Sequence, residues 1–206
     1  MTEHRVVDPS LATLYQLFTC ATKNASEAMH RWTSGGVSLS LDRVVEIPVE
    51  EIAREFDIAN EYMTMVVFTL TGEYGGVFIL MFDEENGRHL AASLTQSKVN
   101  AESEWTELEK SALSETGNIL SGAYFNEISR FTDVDLVPSA PFFMQDFGAS
   151  VLQQAIIPHV LEADKILICN TRFEKREHEV RWNVLFVPEA KLRDRMVASL
   201  ETADLG

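Results

Sequence analysis

The sequence predicts an α+β fold in which antiparallel strands share one sheet and helices pack on it. Two observations carry this. Apolar, β-branched runs flank short turns at two places, Met63–Leu70 with Val77–Phe82 and Lys165–Phe173 with Val180–Val187, as hairpins require. One order of elements (helix, extended segments, hairpin, helix) also occurs twice within 206 residues. The chain therefore reads as a single domain over 1–206 with an internal duplication, its half-repeats at about 8–98 and 102–206. Phe82-Asp83-Glu84 leads to Ser93-Leu94, and Pro188-Glu189-Ala190 leads to Ser199-Leu200 at the same internal spacing.

Taken in order, Asp8 followed by Pro9 forms an N-cap with proline at the first helical position, where a missing N–H costs nothing. Leu11, Leu14, Phe18, Ala21, Ala25, Ala28 and Trp32 follow at spacings of three and four, one apolar stripe facing a core. Ser34-Gly35-Gly36 ends that helix, and the β-branched stretch Val37–Val49 gives one or two extended segments. The first hairpin turns at Gly72–Gly76, and Glu84–Leu94 follows as a helix. The second half opens with a proline-free helical pattern, Glu102–Arg130, then extended segments at Val134–Pro138 and Ala149–Val160. The second hairpin turns at Glu174–Glu179, and Glu189–Thr202 closes the chain as a helix.

Composition narrows the function. Acidic residues number 32 against 17 basic ones, a formal charge of −15. That field repels phosphate backbones and anionic lipid, so neither nucleic acid nor membrane is an expected partner. Cys20 and Cys169 lack metal-ligand spacing, as do the scattered histidines, so no metal of the protein's own is expected. With no secretory leader pattern and no apolar run near 20 residues, the expected location is the cytoplasm.

On the wheel of the Glu102–Arg130 helix, Leu108, Ala112, Thr116, Ile119, Leu120 and Ala123 spread over one apolar side, read as core. Ser111, Glu115, Asn118 and Gly122 share the adjacent face, because spacings of four and seven return to nearly the same angle. Gly117 and Gly122 each cost about 1 kcal/mol inside a helix, so close approach of another backbone is expected to offset them. S-x-x-x-E-x-x-N is by itself a weak pattern, and a solvated helix face is its bland reading. Context sharpens it.

The run Leu113-Ser114-Glu115-Thr116-Gly117-Asn118-Ile119-Leu120-Ser121-Gly122-Ala123-Tyr124 resembles the active helix of the CheC-type chemotaxis phosphatases (CheC, CheX and FliY). Val45-Glu46-Ile47-Pro48 and Leu185-Phe186-Val187-Pro188 are similar to the same family. The resemblance implies two α/β halves around a six-stranded antiparallel sheet. It also implies hydrolysis of the aspartyl phosphate of a CheY-type response regulator. Asn118 would orient the water, Glu115 would dock the receiver's lysine, and Ser111 and Gly122 would contact the partner. The protein would need no cofactor of its own, with Mg²⁺ carried by the receiver. The deamidase CheD is a further implied partner, and a non-catalytic adaptor binding a receiver or CheD is the alternative function. The family's second site is disarmed here: ninety-nine residues before Ser111, Glu115 and Asn118 stand Ala12, Gln16 and Thr19.

Overall fold

The computed structural model describes residues 9–35, 37–48, 51, 61–99, 104–157, 165–175 and 182–203. Asp8, the tip of the second hairpin and the end of the Ala149–Val160 segment lie outside them. The elements run α1 (Pro9–Trp32), β1 (Val37–Pro48), β2 (Tyr62–Thr71), β3 (Gly76–Asp83), α2 (Glu84–Thr95) and α3 (Glu107–Thr132) in the first part of the chain. They continue with β4 (Val137–Pro138), β5 (Phe142–Phe147), α4 (Gly148–Ile156), β6 (Lys165–Lys175), β7 (Trp182–Pro188) and α5 (Ala190–Ala203).

All pairings are antiparallel, in the order β1-β6-β7-β3-β2 with β4 and β5 both on β2, a seven-stranded sheet. The expected count of six differs for a local reason. β4 lies opposite Leu70–Thr71 and β5 opposite Tyr62–Val67, so the two lie end to end along one edge of β2. Pro138 and Pro141 lack the N–H that a continuous ladder needs. Ser139 bridges the break, its N–H donating to the Thr69 carbonyl and its Oγ accepting from the Thr69 N–H. Exchanging β1 with β5, β2 with β6 and β3 with β7 reproduces the sheet order, the pseudo-two-fold of a duplicated fold.

Alternation along the strands sorts the core into two layers. Val66, Phe68, Leu70, Phe78, Leu80, Phe82, Val184 and Phe186 meet α1, α2, α3 and α5 on one face. Met63, Met65, Val67, Ile79, Met81 and Leu185 face the other side, where α4 contributes Ile156. Both faces of β2 and β3 are buried, which is why those strands read as unbroken apolar runs.

Three expectations are corrected. The run expected to be extended from Ala149 is helix α4: Asp146 accepts from the Phe147 N–H and from Ser150 Oγ at its start, while Ile156 buries fully. Short apolar runs do not separate helix from strand by periodicity alone. The Glu102–Arg130 helix instead starts at Glu107, because Thr106 caps it and Trp105 turns into the core. Trp32 is 38% exposed rather than core, its Nε1–H donating to Thr116 Oγ1 at 3.3 Å. Among the described residues, no helix is long and apolar enough to cross a membrane.

Candidate active site on helix α3

The first turn of α3 is fixed by a capping box. Glu109 N–H donates to Thr106 Oγ1, and the Thr106 N–H and hydroxyl both donate to Glu109 Oε2 at 2.8 Å. Buried Arg88 reaches Glu109 Oε2 at 3.4 Å and stacks 3.9 Å above the Trp105 ring, tying α2 to the same point. Burial pulls the Glu109 carboxyl upward. The Thr106 hydrogen bonds and the Arg88 charge outweigh it and hold the carboxyl below its ordinary value. A depressed folded pKa gives stability that is present above the ordinary glutamate value and lost as pH falls below it. We therefore expect Glu109→Gln to melt lower than the parent at neutral pH and to show a flatter acid limb in a melting-temperature series from pH 6 to pH 3.

Farther along, Gly117 sits on β2: a Cβ there would lie 2.8 Å from Phe68 Cε2 and 3.0 Å from Val66 Cγ1. The neighbours are side chains rather than the expected backbone, and both belong to the closely packed core. Gly117→Ala should destabilise by about 1–3 kcal/mol through overpacking, despite alanine's better helix propensity; denaturant titration measures it. Gly122 differs, since nothing lies within 4 Å of the Cβ it would carry.

Tyr124 anchors the middle of the helix. Its hydroxyl lies 2.6 Å from Thr22 Oγ1 and 2.5 Å from Thr171 Oγ1, joining α3 to α1 and β6. Burial pushes its phenol well above the ordinary range, so this is a neutral packing contact. Asn24 Nδ2 donates to Glu127 Oε2 and Trp32 to Thr116, so α1 and α3 run antiparallel.

These anchors rotate α3 from the wheel expected above. The core line is Leu113, Gly117, Leu120, Tyr124 and Ile128, while Leu108 is 65% exposed and Ala112, Ile119 and Ala123 are half-buried. Leu108 thus falls on the solvent side, seven residues before Glu115. Ser111, Glu115 and Asn118 are all exposed along one line, about 10 Å from first to last at 1.5 Å per residue. Asn118 Nδ2 donates to Glu115 Oε2 at 3.2 Å. This leaves Asn118 Oδ1 as an acceptor and Glu115 Oε1 for a cation. Half-buried Gly122 continues the line.

Between α3 and α1 lies an open groove of about 540 Å³, reaching from Asn118 past Gly122 to Arg130, with Ala28 and Arg31 on its α1 side. Sequence reasoning missed its α1 wall, and a usable signal was present: the offset that relates Ser111 to Ala12 also relates Arg130 to Arg31. Ala12, Gln16 and Thr19 are exposed on α1. No group of three or more His, Cys, Asp or Glu side chains able to hold a metal occurs among the described residues.

The model of the CheC-like family matches residues 108–144, the segment that holds this line. That segment of the chain is similar to the CheC-like family. It is 22% identical to the CheY-P phosphatase candidate CheC1 of Halobacterium salinarum over 152 residues, 72% of this chain and 75% of that protein. The fold of the chain is that of Thermotoga maritima FliY, with a TM-score of 0.73 and 16% identity over 96% of this chain and 99% of that one. A CheX–CheY–BeF₃–Mg²⁺ complex from Borrelia burgdorferi matches with a TM-score of 0.54 and 15% identity, over 84% of this chain and 97% of that one.

Proposed function

We propose that this chain hydrolyses the aspartyl phosphate of a CheY-type receiver through the α3 line. The observation that carries the reading is the exposed Glu115–Asn118 pair, with the amide already oriented by the carboxylate, inside the segment matched by the family. The name of CheC1 and the CheY bound to CheX in the Borrelia complex support the choice of substrate.

An acyl phosphate asks little of its catalyst beyond placing water in line and neutralising charge. Mg²⁺ and the lysine of the receiver supply the charge. Asn118 Oδ1 accepts a hydrogen bond from the attacking water and aims its oxygen at phosphorus. As the P–O bond to water forms, the bond to the aspartyl oxygen breaks. The receiver's carboxylate leaves, and the water's two protons stay on the released phosphate or pass from it to solvent. Glu115 Oε1 meets the receiver's lysine while Oε2 keeps Asn118 in place, so one carboxylate sets both register and amide orientation. Ser111, a turn earlier, keeps the contact small and polar.

The test is the decay of a phosphorylated CheY-type receiver with and without the protein. A rate no faster than that of the receiver alone rejects catalysis. The disarmed positions Ala12, Gln16 and Thr19 motivate the second reading, an adaptor for the receiver or for CheD. Binding without acceleration selects it.

A further inference from the structure

We propose that the α1–α3 groove beside Asn118 seats the receiver's own surface next to its phosphorylated aspartate, so that the disarmed helix α1 supplies half of the docking site. The inference rests on the phosphatase reading and extends it to the residues that bind the partner. Asn118 forms one wall of the groove, so a partner whose phosphoryl group reaches that amide also covers the groove. The Ser111–Asn118 line is too small to hold a protein: a standard interface takes about 800 Å² and 20–30 residues from each side. The groove is a concave surface adjoining that line.

Its charge suits the occupant. The lining pairs Arg31 and Arg130 with Glu27 and Glu127 and is neutral, in a chain whose formal charge is −15. Glu127 is already held by Arg130 and Asn24. A phosphorylated, carboxylate-bearing surface therefore meets less repulsion here than elsewhere on an acidic protein, and exposed Arg31 offers it a cation. Gly122 makes the room. The position related to it by the ninety-nine-residue offset is Lys23, so only the armed helix leaves its floor open at this point.

The experiment measures steady-state dephosphorylation of a CheY-type receiver, together with binding of its beryllofluoride-activated form. Gly122→Leu puts a side chain into open space on a helix that tolerates it, and we expect KM and Kd to rise about tenfold, with the loss in KM rather than kcat. Arg31→Glu should raise both by a similar factor. Lys23→Leu, outside the groove, should change neither. Unaltered KM and Kd in Gly122→Leu, or equal effects of the two leucine substitutions, overturn the groove assignment while leaving the activity standing. A parent that binds the receiver without accelerating its decay, with binding weakened by Gly122→Leu, overturns the phosphatase reading and keeps the groove. A parent that does not bind overturns both.

Discussion

Replacing Asn118 with alanine is expected to slow receiver dephosphorylation by about 100-fold, to nearly the receiver's own rate, with binding and melting temperature almost unchanged. The size follows from what the side chain does. A water that is merely nearby samples many orientations, and misplacing it by about 1 Å is enough for a loss of this order. Stability should hold because Asn118 is exposed and its side chain bonds only outward, to Glu115, while alanine is the better helix former. Phosphate release from labelled receiver, read against circular dichroism melts, separates the two quantities. A variant as fast as the parent would remove Asn118 from the chemistry. Glu115→Ala should differ in kind: it removes the lysine contact and also frees the Asn118 amide, so KM rises and kcat falls together.

Phe78→Ala is expected to cost about 3–5 kcal/mol, a larger loss of stability than Gly117→Ala brings. Phe78 is fully buried on β3, between β2 and β7 in the middle of the sheet. Its ring meets Tyr124 at 5.5 Å, Phe125 at 5.6 Å and Phe68 at 6.1 Å, so one side chain underlies both the α3 anchor and the residue against which Gly117 rests. Removing it opens a cavity that the strands on either side cannot close. Leu108→Ala is the informative contrast, since Leu108 belongs to the apolar stripe read from sequence yet is 65% exposed. It should change stability by less than about 0.5 kcal/mol. Urea titration of both variants shows directly which side of α3 faces the sheet.

Much of the fold was legible because its signals are local. The hairpins announce themselves through β-branched runs broken by a glycine-containing turn in the first and a charged turn in the second, and β2, β3 and β7 lie within a residue or two of where those runs place them. α1 follows from Pro9 and a regular stripe. The misreadings share one cause, which is that an apolar residue can satisfy a local pattern without being buried. Trp32 and Leu108 both complete a stripe and are both partly in solvent. Ala149 begins an apolar run that is as good a helix as a strand until the opposite face of the sheet supplies a partner for Ile156. The unbroken run Glu102–Arg130 hid a start at Thr106, because the cap depends on Glu109 and Glu109 depends on Arg88 from another helix.

For the candidate site, the sequence by itself determined which residue types share a line: the spacing of Ser111, Glu115, Asn118 and Gly122 places them together on any α-helix, whatever surrounds it. It also determined that the corresponding positions Ala12, Gln16 and Thr19 carry no acid or amide pair of that kind. Only the tertiary structure decided that this line faces solvent, because the rotation of α3 is set by Gly117 against Phe68 and by Tyr124 between Thr22 and Thr171, contacts between residues 47 to 102 positions apart. The same antiparallel packing decided that α1 stands beside the line and forms a groove with it. Helical periodicity fixes angles around one axis, and it takes a second element, placed by long-range burial, to say which of those angles points outward.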